Sequence, residues 1–110
     1  MKLPQLGELE EWVLLMVCRL HPDAYGVNVR DELASQTGRD LTMATIHVAL
    51  HRLEEKGFLK SFLSDPTAVR GGKSKRIFQV TAYGLKALRA LHEMRNQVWA
   101  GIPSIVLKIS

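Results

Sequence analysis

The sequence has very little cysteine and no long apolar segment, and each shortage excludes a class of protein. Cys18 is the only cysteine among 110 residues, so neither an internal disulfide nor a cysteine-cluster metal site can form, which agrees with a reducing compartment. No apolar run approaches the roughly 20 residues of a membrane span. Glu8, Glu10 and Glu11 precede the first apolar stretch, unlike in a signal peptide. We therefore predict a cytoplasmic protein that does not contact a membrane.

The sequence also lacks the motifs on which common enzymes depend. No glycine-rich phosphate loop, nucleophile–base set or suitably placed carboxylate pair is present, so we predict neither enzymatic activity nor a bound cofactor. His47 and His51 have the i, i+4 spacing that two metal ligands on one helix would have. Because the sequence fixes no third ligand, we predict that the protein has no metal site.

Positive charge is concentrated in one short part of the chain. Residues 1–57 contain nine acidic and six basic residues, whereas residues 58–82 contain five basic residues and a single acidic one. The whole chain carries a formal net charge of +4. A local basic segment after an acidic first half indicates one anionic contact surface, and a uniformly basic chain would instead indicate general coating of nucleic acid.

A helix from Thr42 to Gly57 is predicted to have an unusual outer face. Ile46, Leu50 and Leu53 form an apolar stripe at i, i+4 and i+7. Thr42 has the position of an N-cap, and Gly57 that of the left-handed residue that ends a helix. The opposite face carries short side chains and no acid in its first two turns, so it suits the DNA major groove, which is about 12 Å wide. A plain solvated surface helix is the alternative.

Two further helices are predicted before it. The first, Leu9–Leu20, is apolar nearly all round, so a second subunit is its expected cover, and burial by its own chain is the alternative. The second helix begins at Asp23 or Ala24, reaches about Thr37 and is ended by Gly38. Two helices joined by a short turn that contains glycine have the layout of a helix-turn-helix.

After Gly57 the periodicity changes from helical to alternating. Residues 58–63 and 75–81 are predicted to pair as a β-hairpin, with a turn-rich segment between them. Four basic residues lie near the tip of this hairpin: Arg70, Lys73, Lys75 and Arg76. A hairpin of this kind beside a helix-turn-helix is a wing, and its basic side chains would attract phosphates. A merely solvated loop is the alternative.

Thr81 is predicted to cap a last helix over residues 82–99. The apolar stripe of this helix is wider than so short a chain needs for its core, which indicates a homodimer with the first and last helices at the seam. The predicted seam residues are Trp12, Leu15, Met16, Leu88, Leu91, Met94, Val98 and Trp99. Trp99 would either pack against its symmetry mate or line an effector pocket between subunits. The tail, residues 100–110, has a strand-like pattern over Ser104–Ile109.

Together these elements predict a mainly α fold with a small β-hairpin. Residues 1–81 would form a winged helix-turn-helix domain, with a recognition helix at 42–57 and a wing at 58–81. Residues 82–99 would form a dimerisation helix.

The chain resembles the PadR-type transcriptional regulators. Four segments carry the resemblance in the order and spacing of that family: Leu6–Glu10, Ala24–Val27, Leu50–Gly57, and Arg70–Gly72 with the basic run and Phe78–Thr81 that follow it. The resemblance covers about residues 6–99 and favours the short type with one C-terminal helix. The chain departs from the family at His47, where a tyrosine is usual. DNA contacts of that tyrosine are therefore not carried over.

The resemblance implies a dimeric repressor that binds a pseudo-palindromic operator in double-stranded DNA and releases it on a small-molecule effector or another signal. Some relatives respond to phenolic acids, and others to planar drugs held near a tryptophan of the last helix. A winged helix that binds only proteins is the alternative function. The predicted DNA contacts are Thr42, Ala44, Thr45, His47, Val48, His51 and Arg52 from the recognition helix, and Arg70, Lys73, Lys75 and Arg76 from the wing.

Overall fold

The computed structural model of the chain describes residues 5–65 and 74–109. Within these residues, helices and a β-hairpin follow one another in the order of a winged helix-turn-helix, which confirms the predicted fold class. The elements are α1 (Glu8–Arg19), α2 (Gly26–Thr37), α3 (Met43–Glu55), β1 (Leu59–Leu63), β2 (Arg76–Val80), α4 (Ala82–Ala100) and α5 (Ser104–Leu107).

Helix α3 begins and ends where the local sequence predicts. Thr42 is its N-cap, and the hydroxyl oxygen of Thr42 accepts a hydrogen bond from the Thr45 amide at 3.2 Å. Ile46, Leu50 and Leu53 are fully buried, as the apolar stripe requires. After the helix, Gly57 has a φ of 84°, a left-handed conformation that glycine adopts without steric cost.

Helix α1 lies in the centre of the core and packs against α2 and α3. Val13, Leu14 and Val17 are buried by the chain itself, so the alternative interpretation, burial by the same chain, is correct for this face. Trp12 remains 38% exposed. The strip of α1 that the chain leaves uncovered is therefore narrower than its sequence predicts.

Helix α2 begins at Gly26, two or three residues later than predicted. The reason is a non-local contact, because Ala24 forms an isolated antiparallel bridge with Phe78 of β2. The Phe78 amide donates to the Ala24 carbonyl oxygen at 2.8 Å. Residue 24 is thus held in extended conformation beside the hairpin, and the helix can start only after it. Gly38 ends α2 with a φ of 76°, as predicted.

Strands β1 and β2 pair antiparallel to form the predicted hairpin. Leu59 lies opposite Val80 and Ser61 opposite Phe78, and these four side chains share the face that is turned towards the helices. Leu59 and Phe78 belong to the hydrophobic core, so the base of the hairpin is fixed to the helical body.

Thr81 is the N-cap of helix α4, and its hydroxyl oxygen accepts a hydrogen bond from the Gly84 amide at 3.0 Å. The helix ends at Ala100, one residue later than predicted. The strand-like prediction for the tail is wrong, since Ser104–Leu107 forms the short helix α5. A strand needs a hydrogen-bonding neighbour, and the structure offers none to this segment within the described residues. The tail instead makes local bonds such as that from the Val106 amide to the Pro103 carbonyl oxygen at 2.9 Å.

The molecule is elongated because α4 continues past the core. Its buried side chains end at Leu91, and the residues beyond it are half-buried or exposed up to Ile109. The principal extents of the chain are 58 × 33 × 21 Å. A body formed by α1–α3 and the hairpin therefore carries a projecting helical arm.

Candidate nucleic-acid interface

The outer face of α3 is the centre of the candidate interface. Ala44, Val48, His51 and Arg52 are exposed on this face, and Thr45 is half-buried. Val48 is 51% exposed although it is apolar. The first acidic side chains of the helix come only at its end. Small and apolar groups followed by an arginine form a surface that can meet base edges and thymine methyl groups.

The two threonines at the start of α3 bond to each other. Besides accepting the Thr45 amide, the Thr42 hydroxyl lies 2.9 Å from the Thr45 hydroxyl. Thr42 therefore serves first as the helix cap, and the orientation of the Thr45 side chain is fixed by it. Thr45 is half-buried at the edge of the candidate interface, with its hydroxyl engaged by Thr42.

A groove of about 480 Å³ separates α3 from the hairpin. Predicted contact residues from both elements meet there, since His47, His51 and Arg52 line it from the helix and Arg76 lines it from β2. His51 also forms an ion pair with Glu55 at 3.3 Å. The fold thus brings the predicted recognition helix and the start of β2 onto one continuous surface.

A second, larger groove of about 1110 Å³ lies on the other side of α3. Its floor includes Ala44, Val48 and Arg52 of the recognition helix, and its far wall is the segment from Gln5 to Glu10. The recognition helix is therefore flanked on both sides by open space. An elongated, rounded object such as a DNA duplex can approach it without displacing another element.

Lys75 and Arg76 are the two predicted wing contacts that lie within the described residues, and both side chains touch the protein itself. The Lys75 ammonium lies over the ring of Tyr25, 4.1 Å from its centroid. The Arg76 guanidinium donates to the Ser61 hydroxyl at 3.0 Å, and that hydroxyl donates to Glu54 at 2.6 Å. Both residues are thus anchored at the end of the paired strands that lies towards the hairpin tip. Arg70 and Lys73 lie outside the described residues.

Two residues that make contacts in this region were not predicted from the sequence. Tyr25 lies within the segment Ala24–Val27, and its contact with Lys75 could not be inferred without the fold. Arg39, in the turn before α3, pairs with Glu8 at 2.9 Å. The position of Arg39 between the two helices could be read from the sequence, but its pairing with Glu8 could not.

Charge at the start of α1 is tied to the end of α3. Glu10 accepts hydrogen bonds from the Lys56 ammonium at 2.7 Å and from the Gly7 amide at 2.9 Å. Burial alone would raise the pKa of Glu10, but these two hydrogen bonds and the charges of Lys56 and Arg52 outweigh it, so the pKa lies below its ordinary value. The ionised carboxylate therefore fixes the N-terminal segment against the recognition helix.

The predicted seam residues divide into two groups. The chain itself covers three of them, which belong to its own interior and leave little surface for a partner: Met16, Leu88 and Leu91. The others keep exposed surface along α1 and the arm: Trp12, Leu15, Met94, Val98 and Trp99. Val98 and Trp99 are 68% and 64% exposed, so two neighbouring large apolar side chains lie uncovered on α4.

Two other features are absent from residues 5–65 and 74–109. No three His, Cys, Asp or Glu side chains lie close enough together there to hold a metal ion. No helix of the same residues has the length and hydropathy of a membrane span.

Comparison with known proteins gives a consistent result. Residues 14–90 match the model of the transcriptional regulator PadR-like family. A PadR family regulator from Eggerthella lenta has a similar structure, with a TM-score of 0.67 and 26% sequence identity over 94% of this chain and 88% of that one. A PadR family regulator from Clostridium difficile R20291 is similar with a TM-score of 0.67 and 22% identity, over 93% and 97% of the two chains.

A third solved structure agrees with these two. The PadR-like regulator of Bacillus cereus aligns with a TM-score of 0.72 at 17% identity, over 93% of each chain. At this identity the likeness concerns the fold alone. No curated protein matches the chain.

Proposed function

The chain belongs to the PadR-like family of transcriptional regulators, and on that premise we propose that it is a sequence-specific DNA-binding regulator. In this proposal it acts as a homodimeric repressor that an effector releases from its operator. The single observation that carries the proposal is the outer face of α3, which is slim and exposed and lies between two open grooves.

In the proposed complex, α3 enters the major groove and the wing follows the phosphate backbone. Ala44, Thr45 and Val48 would meet base edges, and Arg52 a phosphate or a guanine. Thr42 at the amino end of α3, together with His47 and His51, would complete the contacts of this helix. The wing residues would supply attraction that does not depend on sequence: Arg70, Lys73, Lys75 and Arg76.

Dimerisation is proposed through the arm. Val98 and Trp99 expose apolar surface on α4, and Trp12 exposes more on α1. Burial of such surface is favourable at about 25 cal/mol per Å², so a second copy of the chain is a suitable cover. Two copies of α3 would then enter successive major grooves with half-sites about 34–36 Å apart.

Effector release is the remaining part of the proposal. Trp99 would either pack against the partner or line a pocket between the subunits, and packing is the simpler role. An effector bound at such a seam would act by shifting the separation of the two α3 helices. Equal operator affinity with and without a bound effector would contradict this part alone.

The proposal is tested by binding to labelled DNA. The purified protein is titrated into a random duplex and into its own upstream DNA, each at low and moderate salt. We expect a preference for the upstream fragment that persists at moderate salt, and weaker binding to random duplex that falls steeply with salt. No binding to either duplex at low salt would contradict the proposal and favour a protein-interaction module.

Matched variants separate the two proposed roles. Thr45→Ala and Val48→Ala should change which operator sequence is preferred, whereas Lys73→Gln should weaken binding to all sequences alike and reduce the salt dependence. Lys86→Gln on α4 removes the same charge outside the interface and should change neither property. Equal weakening of every sequence by all three interface variants would refute this division.

A further inference from the structure

The contact between Lys75 and Tyr25 joins the wing to the helix-turn-helix. The Lys75 ammonium lies 4.1 Å from the centroid of the Tyr25 ring, within the distance at which a cation is attracted by an aromatic face. Lys75 immediately precedes β2, and Tyr25 immediately precedes α2. Two elements that are far apart in sequence are thus connected through one pair of side chains.

Hydrogen bonds hold the backbone at Tyr25 in place. The Tyr25 amide donates to Oδ1 of Asn28 at 2.8 Å, and Nδ2 of Asn28 donates to the Asp23 carbonyl oxygen at 2.9 Å. The neighbouring Ala24 is bridged to Phe78 of β2. The backbone on which the ring is mounted is therefore held from two sides.

Lys75 is also fixed through its backbone. The Lys75 amide donates to the Ser64 hydroxyl at 2.8 Å, and the Ser64 amide donates to the Lys75 carbonyl oxygen at 2.7 Å. This pair closes the hairpin one step beyond the last strand residues. These bonds fix the backbone of Lys75 but not its long side chain. The contact with the Tyr25 ring restricts the side chain.

Gly26, the residue after Tyr25, lies close to α3. A Cβ on Gly26 would lie 3.1 Å from Cε1 of His47 and 3.0 Å from the terminal methyl carbon of Met43. The absence of a side chain at Gly26 allows α3 to approach this closely. Tyr25 and Gly26 together therefore contact both predicted DNA-binding elements, the wing on one side and the recognition helix on the other.

We propose that Tyr25 is a positioning residue for DNA binding, with its ring holding the Lys75 ammonium in the position from which it contacts a phosphate. The inference rests on the proposed DNA binding and adds a residue to it. Tyr25 acts through Lys75. A lysine side chain that is already oriented loses less conformational entropy when it binds a phosphate, so the contact with Tyr25 favours binding.

The test compares five proteins: wild type, Tyr25→Phe, Tyr25→Leu, Lys75→Gln and the double variant Tyr25→Leu/Lys75→Gln. Affinity for the upstream duplex, or for random duplex at low salt, is measured at several salt concentrations. Thermal unfolding of each protein shows whether it is folded at the assay temperature.

We expect Tyr25→Phe to bind like wild type, since it keeps the aromatic face. Tyr25→Leu should weaken binding about two- to five-fold, the range of an exposed cation–π contact. Lys75→Gln should weaken binding and lower the salt slope by about one. The double variant should equal Lys75→Gln, because Tyr25 has nothing to position once the lysine is gone.

Several outcomes would overturn the inference while leaving the proposed DNA binding intact. Tyr25→Leu could bind as tightly as wild type, or it could weaken the Lys75→Gln protein by the same factor as the wild type. A loss in Tyr25→Phe as large as that in Tyr25→Leu would assign the effect to the hydroxyl. Failure of the wild type itself to bind any duplex would overturn the proposed function, and this inference with it.

A second measurement does not depend on DNA or on the stability of the leucine variant. The side-chain methylene protons of Lys75 should show an upfield ring-current shift in the NMR spectrum of the wild type and of Tyr25→Phe. This shift should be absent in a folded Tyr25→Met protein. Ordinary lysine shifts in the wild type would show that the contact does not form in solution, and would refute the inference.

Discussion

Glu11 on α1 accepts two hydrogen bonds from the guanidinium of Arg95 on α4, one of them at 2.7 Å. The Glu11 side chain is only 11% exposed, whereas that of Arg95 is 58% exposed. The hydrogen bonds and the charge of Glu11 raise the pKa of Arg95 above its ordinary value. A two-pronged pair of this kind fixes direction as well as distance. It ties the projecting part of α4 to the body of the protein.

Removal of Arg95 should cost more than removal of the pair. In Arg95→Met the Glu11 carboxylate stays nearly buried without its partner, and we expect a loss of about 1 kcal/mol, since solvent screens the exposed guanidinium. Glu11→Gln/Arg95→Met should recover part of that loss. Urea unfolding of the wild type, both single variants and the double variant measures the coupling. Strictly additive effects would show that the pair contributes nothing.

Gly84→Ala should destabilise the fold although alanine is the better helix former. A Cβ at position 84 would lie 2.2 Å from the carbonyl oxygen of Phe58, which belongs to the backbone and cannot move aside as a side chain could. We expect a loss of about 1–3 kcal/mol, the range for overpacked sites. Gly101→Ala is the control, because its Cβ would meet nothing closer than 3.5 Å. Thermal unfolding that ranks the two variants equally would contradict the predicted clash.

The ion pair of Glu10 should make stability depend on pH in the acidic range. Its pKa in the folded protein is below the ordinary value of 4.5, so its contribution is complete above 4.5 and is lost as pH falls through the folded-state pKa. Glu10→Gln should therefore unfold at a lower temperature than wild type at pH 7. The difference in unfolding temperature between the two proteins should narrow towards pH 3. Glu93→Gln, an exposed charge on α4, is the matched control, and a gap independent of pH would refute the prediction.

Association of the chain should depend on the arm. Trp99→Ala removes the largest exposed apolar side chain there, and we expect the mass in solution to shift from about twice the 12.4 kDa of one chain towards a single chain at low micromolar concentration. Leu63→Ala on the hairpin is the control, since Leu63 is 61% exposed and Trp99 is 64% exposed. Sedimentation equilibrium measures both. A wild type that is monomeric at all concentrations would contradict the proposed dimer.

The features that could be predicted from the sequence are those that depend on local chemistry. The cap at Thr42, the buried stripe of α3 and the left-handed Gly57 all follow from residues within one helix or next to it. The late start of α2 could not be predicted, because it depends on the bridge between Ala24 and Phe78. Such a contact joins residues that are far apart in the chain.

The candidate interface shows the same limit. Sequence spacing places Val48 and Arg52 on the outer face of α3, and the structure has both exposed there. The same sequence presents Lys75 and Arg76 only as two neighbouring charges. Their contacts with Tyr25 and Ser61 arise when the hairpin folds onto the helices. For the tail, alternating apolar residues favoured a strand, but β structure requires a neighbour that the described part of the chain does not supply.

The arm of α4 extends for nine residues beyond Leu91, which is about 14 Å of helix. A stiff rod of this length acts as a lever, since a tilt of about 10° at its base moves its tip by roughly 2 Å. In a pair of chains joined by their arms, the angle at the base would set the distance between the two bodies. The Glu11–Arg95 pair holds the arm four residues beyond Leu91. A small change there would therefore alter how far apart two copies of α3 are held.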